Sequence, residues 1–230
     1  MILLALTTDG RRDCIEQTIP SLLERVKGID GPKLLFDDSG DQAYREWLTA
    51  TFEPQGFWVM PIGPERVGQD RALQIVWKHL GREVYADHSY VFFCEDDFLF
   101  ERDVDLDAMR STLDARPYLA QMALLRQPWF PGEVKAGGII ERDPDEYTQV
   151  LGLPGEMLVG TCWWEHRLWF SLNPSLFRRD ICKLERPIGK RHEWRFSRQL
   201  CEDPEVRFGL WGDGTPWCRH IGDQRVGHGY

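Results

Sequence analysis

The sequence predicts an α/β protein organised around a doubly wound, mostly parallel sheet flanked by helices. Three observations predict it. Short, mostly apolar runs at residues 2–6, 33–36 and 89–94 alternate with stretches whose apolar residues recur at helical spacing. Each run opens into a polar cluster rich in Asp, Ser, Thr or Gly. The order is strand, helix, strand, helix, strand, as in chains that build parallel sheets from crossover units. Strands covered on both faces read as continuous hydrophobic runs, which separates them from the 3.6-residue period of the helices.

In order, ILLAL (2–6) is a strand that ends in Thr-Thr-Asp-Gly. Ile15, Ile19, Leu22, Leu23 and Val26 then mark a helix, with Pro20 expected to kink it or mark its true start. KLLF (33–36) is the second strand and runs into Asp37-Asp38-Ser39-Gly40-Asp41. Residues 71–80 form the next helix, with Leu73, Val76, Trp77 and Leu80 on one side. SYVFFC (89–94) is the third strand, and it stops at Glu95, Asp96 and Asp97.

The second half is less regular. Leu106, Met109 and Leu113 suggest a short helix, and QMALL (121–125) a further strand. Residues 127–160, rich in Pro and Gly, read as a long loop region, and RLWFSL (167–172) as a strand. Asn173-Pro174 reads as a helix N-cap followed by proline at the first helical position, which places a helix over 175–182. Residues 193–200 form the last helix, before a Gly- and Trp-rich tail. No repeat, low-complexity tract or linker interrupts the chain, so a single domain over 1–230 is expected.

Composition narrows the function. With 42% hydrophobic and 28% charged residues, the 230-residue chain can bury a full core. A net charge of −9 and a pI near 5.2 argue against a protein built to grip nucleic acid broadly, because that grip rests on clustered Lys and Arg. The start lacks a signal-peptide pattern, and no apolar run approaches the ~20 residues of a transmembrane helix. Six cysteines lack CxxC spacing, so a zinc knuckle is disfavoured and Cys94 reads as a buried thiol. A reduced, cytoplasmic protein is expected.

The carboxylate triplet is the feature that asks for chemistry. Charged oxygens rarely sit beside a core unless something pairs with them, and a metal ion is one such partner. In doubly wound sheets ligands bind beyond the carboxyl ends of the strands. The loops that start at Thr7, Asp37 and Glu95 should therefore meet at one edge.

The stretches LALTTDGRRDCIEQTIPSLL, LLFDDSGD, VFFCEDDFLF, LNPSLFRRDIC and RHIGDQRVGHGY, in that order, resemble the landmarks of GT-A glycosyltransferases of the family 2-like kind. The acidic triplet is similar to that family's Asp-x-Asp (DXD) metal motif in a Glu-Asp-Asp form. The resemblance covers nearly the whole chain. It implies a GT-A fold with a nucleotide-sugar-binding half over 1–104 and an acceptor-side half over 105–230. It also implies a Mn²⁺ or Mg²⁺ cofactor and a UDP- or GDP-sugar as donor.

Residue by residue, the resemblance implies Asp97 as metal ligand, with His220 as a second one, which suits Mn²⁺ because that ion tolerates imidazole. Glu95 would hold a metal-bound water or a ribose hydroxyl, and Asp96 would contact the donor sugar. Thr7, Thr8 and Arg11 after the first strand, and Asp37 and Asp38 after the second, fall where similar enzymes hold the nucleotide. Arg66, Asp70 and Arg71 match the segment crossing beneath the donor, although PERVGQDRA departs from the usual Asn- and Gly-rich form. Glu193 would be the base of an inverting transfer. Bland readings stand beside these: turn chemistry for DDSGD, capping for the triplet, a solvated helix end for Glu193.

Six of the ten tryptophans (163, 164, 169, 194, 211 and 217) lie in the last third, where the resemblance places the acceptor site. The acceptor itself stays open between a saccharide, a protein side chain, a lipid-linked sugar and a modified nucleobase. Two other functions compete: a nucleotidyltransferase acting on a sugar phosphate, for which TTDGRRD has too few glycines, and a non-catalytic sugar-binding protein.

Overall fold

The computed structural model describes residues 1–152 and 161–222; the end of the last landmark, 223–230, and part of the long loop region, 153–160, lie outside the described residues. In chain order the elements are β1 (Ile2–Thr8), α1 (Arg12–Arg25), β2 (Val26–Lys27), β3 (Lys33–Asp37), α2 (Gln42–Phe52), β4 (Phe57–Pro61) and α3 (Gln69–Leu80). There follow β5 (Tyr90–Glu95), β6 (Phe98–Phe100), β7 (Val104–Asp105), α4 (Leu106–Ala115), β8 (Leu119–Leu124), α5 (Pro131–Ala136) and α6 (Ile139–Arg142). The chain ends with β9 (Thr148–Leu151), β10 (Cys162–His166), β11 (Ser175–Arg178), α7 (His192–Leu200), β12 (Arg207–Trp211) and β13 (Cys218–His220).

Nine strands form one sheet in the order β4-β3-β1-β5-β11-β8-β12-β10-β9. The first four are parallel neighbours, and β12 is parallel to β8. Both neighbours of β11 and both neighbours of β10 are antiparallel to them. Only β11 and β10 therefore run against the other seven, and the sheet is mostly parallel in direction.

Both faces are covered. Ile2, Leu4 and Leu6 of β1 point into a cluster with Ile15, Ile19 and Leu22 of α1, Leu48 of α2 and Met109 of α4. Leu3 and Ala5 point the other way, against Val76, Trp77 and Leu80 of α3 and Phe196 of α7. That is why the strand reads as an unbroken apolar run: neither face ever meets water. No helix among the described residues is long and apolar enough to cross a membrane.

Several elements differ from the sequence expectation. Helix α1 passes through Pro20 as one continuous helix, with Pro20 and Glu16, the residue one turn back, both exposed. The carbonyl that proline leaves unpaired can thus face water. Ser175–Arg178 is not a helix but a strand inserted between β5 and β8, followed only by a short 3₁₀ turn over Arg179–Lys183. The Asn-Pro helix-start pattern is local, whereas Leu176 and Phe177 each bury completely on opposite faces of the sheet. Tertiary pairing outweighs the cap.

RLWFSL is not a strand either. Its backbone is satisfied by side chains: Phe170 N donates to Ser197 Oγ (2.7 Å) and Ser171 N to Gln121 Oε1 (2.8 Å). The Gln121 amide donates in turn to the Ser171 carbonyl (2.7 Å) and to Ser175 Oγ (2.8 Å). The expected loop region holds α5, α6 and β9, and α2 and β4 complete the first half. Gln121 is thus a buried clamp that shapes the 168–174 segment. Gln121→Leu is expected to leave the Ser171 amide unpaired and lower stability by about 1–3 kcal/mol. Urea unfolding checks this, and a variant as stable as wild type would show the clamp to be dispensable.

Candidate functional site

Parallel register sets up the site. Thr8 of β1 lies beside Asp37 of β3, and Thr7 lies beside Glu95 of β5. The loops leaving these strands do converge on one sheet edge, where a cleft is lined by Thr7, Thr8, Arg11, Asp38, Arg66, Glu95 and Asp96, among others.

Arg11 organises the acids. Its guanidinium donates to Asp96 Oδ1, to Asp97 Oδ2 and, at 2.8 Å, to Asp9 Oδ1. Arg66 pairs with the other oxygen of Asp9. Asp96, fully buried, also accepts from Thr8 Oγ1 at 2.6 Å, and its carbonyl accepts from Thr18 Oγ1 of α1 at 2.6 Å. Asp97 Oδ2 lies 3.3 Å from His220 Nε2, and the Asp97 carbonyl accepts from Ile221 N at 2.8 Å. The strand β13, paired with β6, brings His220 there. Gly222 packs so closely on Asp97 and Arg11 that a β-carbon there would have to push one of those side chains aside.

The three carboxyls differ sharply. Burial, reinforced by the charge of Asp97, pushes Glu95 up to about 8, while the Gln69 amide, donating at 2.8 Å, opposes it. Burial raises Asp96 to about 7 against the charge of Arg11. Asp97 is buried too, but its hydrogen bond to His220 and the charge of Arg11 overcome that and hold it at about 2. Asp97 is therefore the member of the triplet that carries full negative charge at neutral pH.

The remaining sequence candidates divide. Asp38 accepts from the amides of Val67 (2.9 Å) and Gly68 (3.0 Å), which folds the 63–68 loop over the cleft. Asp37 is fully buried and accepts from Ser39 N and Arg45 Nε, so it supports the loop from behind and does not line the cleft. Asp70 accepts from Gly189 N at 2.6 Å, and Arg71 is exposed and bonded to Gln74. Neither lines the cleft; Arg71 borders a groove along the outer side of α3.

On the other side of Glu95 lies a second compartment. Glu193 from the first turn of α7 and His220 lie in its wall, as do Trp129, Phe130, Trp169 and Asn173. Gln69 and Glu95 border both compartments. A buried Arg126–Glu133 pair (2.7 Å) fixes the floor, and Glu133 also accepts from the amides of Trp129 and Phe130. Of the six late tryptophans only Trp169 lines this compartment.

Sequence reasoning missed Gln69, Arg126, Trp129, Glu133 and Arg186. Arg186 carried no signal, because it stands in irregular chain. It is 1% exposed, its guanidinium carbon lies 4.4 Å from the Trp77 ring and 4.8 Å from the Phe196 ring, and its nitrogens have no hydrogen-bond partner among the described residues. Burial lowers its pKa to about 10, offset in part by the charges of Glu193 and Glu95. Burial raises Glu193 above the ordinary carboxylate range, and the charge of Arg186 pulls it back. Among the described residues no three His, Cys, Asp or Glu side chains form a self-sufficient metal cage.

No family model matches the chain, and no curated protein matches it in sequence. Solved structures do resemble it. Staphylococcus aureus TarS 1-349 in complex with UDP-GlcNAc aligns over 99% of this chain and 59% of its own, at 14% identity and a TM-score of 0.60. The mannosyltransferase PcManGT from Pyrobaculum calidifontis, in complex with GDP-Man and Mn²⁺, aligns over 97% of this chain and 57% of its own, at 13% identity and a TM-score of 0.57. The chain thus spans less than two thirds of either matched chain. At these identities the likeness establishes the fold: a mixed α/β, GT-A-type architecture.

One consequence concerns stability. Unfolded Glu95 ionises near 4.5, but in the fold it holds its proton to about 8, so the native state binds more protons between those values and loses stability as pH rises through them. Glu95→Gln keeps the oxygen that accepts from Gln69 and removes the charge. Its melting temperature relative to wild type is expected to rise from pH 5 to pH 8, with the stability gap widening by at least about 1 kcal/mol. A gap independent of pH would refute the raised pKa.

Proposed function

We propose that the chain is a metal-dependent glycosyltransferase that moves a sugar from a UDP- or GDP-sugar to a hydroxyl acceptor, with inversion and with Glu193 as base. The observation that carries this reading is a pair of adjoining pockets, with Gln69 and Glu95 in the lining of both, that offer two chemistries. Thr7, Thr8, Arg11, Asp38 and Arg66 line one end, Glu193 and aromatic rings line the other, and Glu95 borders both. The structural neighbours hold UDP-GlcNAc in one case and GDP-Man with Mn²⁺ in the other, which supports the donor class. All of the donor-end lining comes from residues 7–96, and most of the other end from 98–220, in keeping with one domain split into donor and acceptor halves.

The donor set fits a divalent ion. Asp97 is the fully charged carboxylate, His220 offers an imidazole nitrogen beside it, and with no third His, Cys, Asp or Glu grouped there among the described residues the remaining positions would fall to diphosphate and water. Asp97 and His220 would hold the ion, whose contribution when bound is positive charge against the departing diphosphate.

The chain's own residues do the rest. Arg11 and Arg66 add fixed positive charge beside the diphosphate, where negative charge grows as the sugar acquires oxocarbenium character. Asp96 contacts the donor sugar, and Asp37 and Asp70 hold loops that frame the donor. Glu193 accepts the proton of the acceptor hydroxyl. Burial raises its pKa and so makes it a stronger base than a solvated carboxylate, while the charge of Arg186 works in the opposite direction and favours the ionised form. Trp129 and Trp169 offer flat apolar faces to the acceptor.

A panel of UDP- and GDP-sugars incubated with Mn²⁺ tests the reading; failure to release nucleotide from any of them would sink it. Asp97→Ala is expected to abolish Mn²⁺-dependent nucleoside diphosphate binding in calorimetry. An unchanged metal requirement would remove Asp97 from the site.

Glu193→Gln is expected to lower the single-turnover rate by a factor on the order of 10²–10⁴ with donor affinity nearly unchanged. Since Glu193 must be ionised to act, the rate falls on the acid side, and Arg186→Met is expected to move that limb to higher pH. A pH–rate profile that stays in place in Arg186→Met would break the coupling between the two residues.

A further inference from the structure

The chain is acidic, but residues 183–198 are not. They hold six basic residues against two acidic ones, a net charge of +4, so the remainder carries −13 of the overall −9. Lys183, Lys190, Arg191, Arg195 and Arg198 are all exposed. Interleaved with them, Leu184 (40%), Ile188 (44%) and Trp194 (54%) are among the ten large apolar side chains exposed in the described structure. Three of those ten thus fall within eleven consecutive residues.

These residues form one face. Arg195 donates to the Ile188 carbonyl, the Gly189 amide is tied to Asp70 at the start of α3 (2.6 Å), and Gln74 of α3 donates to the Arg186 carbonyl (3.2 Å). Lys183 and Leu184 share a groove with Arg71 and Lys78 on the outer side of α3, which extends the positive field. Trp194 of this face directly follows Glu193 on the first turn of α7, and Glu193 lines the second compartment.

We infer that this face docks the protein on an anionic lipid surface. Its basic side chains would meet the headgroups, while Leu184, Ile188 and Trp194 reach the acyl boundary. Basic residues near an anionic leaflet each strengthen binding by on the order of fivefold, and apolar side chains anchor what the charges attract. Nucleic acid would use the cations and the Trp194 ring. Two of the three apolar side chains are aliphatic, however, and gain nothing from phosphates or base stacking. The −13 carried elsewhere turns the other faces away from the same membrane. Resting on the glycosyltransferase reading, this places the Glu193 end of the cleft beside the bilayer and makes the acceptor a lipid-borne hydroxyl.

Co-flotation of the full chain with vesicles tests the docking without donor or metal. Vesicles of phosphatidylglycerol mixed with phosphatidylcholine should carry the protein, pure phosphatidylcholine should not, and high salt should release it. Lys190→Glu/Arg198→Glu and, separately, Ile188→Ser/Trp194→Ala should each weaken binding at least tenfold while keeping wild-type circular dichroism and nucleotide-sugar hydrolysis. Equal partition onto both vesicle types, or variants that float like wild type, would overturn the inference. So would salt-sensitive binding to a single-stranded oligonucleotide without vesicle binding. Donor hydrolysis, read in the same preparations, reports on the transfer chemistry separately.

Discussion

The Arg11 guanidinium, placed between Asp96 and Asp97, is the interaction on which the site depends. Three adjacent carboxyls at the end of a buried strand repel one another and lose their hydration, and both effects favour protonation. One buried cation resolves this unevenly. Acting with the stronger pull of the His220 hydrogen bond, it leaves Asp97 charged, while Asp96 and Glu95 titrate near neutrality. Adjacent side chains of the same chemical kind thereby acquire different jobs. The surrounding elements serve that arrangement: α1 contributes Thr18, β1 contributes Thr8, and β13 delivers His220.

The far end of the cleft rests on a different device. The 168–174 segment has side chains in place of neighbouring strands as its backbone partners, chiefly Gln121 and Ser197. This frees it from the sheet, so that Trp169, Ser171 and Asn173 can line a cavity. The strand β11 next to it then plugs the sheet between β5 and β8, antiparallel to both. A parallel architecture that ends in ligand loops is converted here into a wall for the second compartment.

Arg186 shows the cost of this site. A guanidinium set against two rings, with no hydrogen bond among the described residues, is an unfavourable way to bury charge, and cation–π contact recovers only part of the loss. Its electrostatic partners are Glu193 and Glu95, which border the cleft. The arrangement makes sense as a field applied to the cleft, not as a stabilising contact.

By itself the sequence determined the first half of this protein. The runs at 2–6, 33–36 and 89–94 are strands, and the acids that follow them meet at one edge, because strands buried on both faces and crossover helices leave strong, local hydrophobic patterns. It also singled out His220 and Glu193, which the fold brings to the same cleft. Tertiary structure alone decided that Ser175–Arg178 is a strand, that RLWFSL is not, and that Asp37 and Asp70 brace loops behind the cleft. It alone placed Gln69, Arg126 and Arg186 around the acids. The physical reason is range. A buried strand declares itself through its own side chains, whereas the inserted strand β11, the Gln121 clamp and the tie from Asp70 to Gly189 depend on partners from 50 to 119 positions away, and no local pattern encodes those partners.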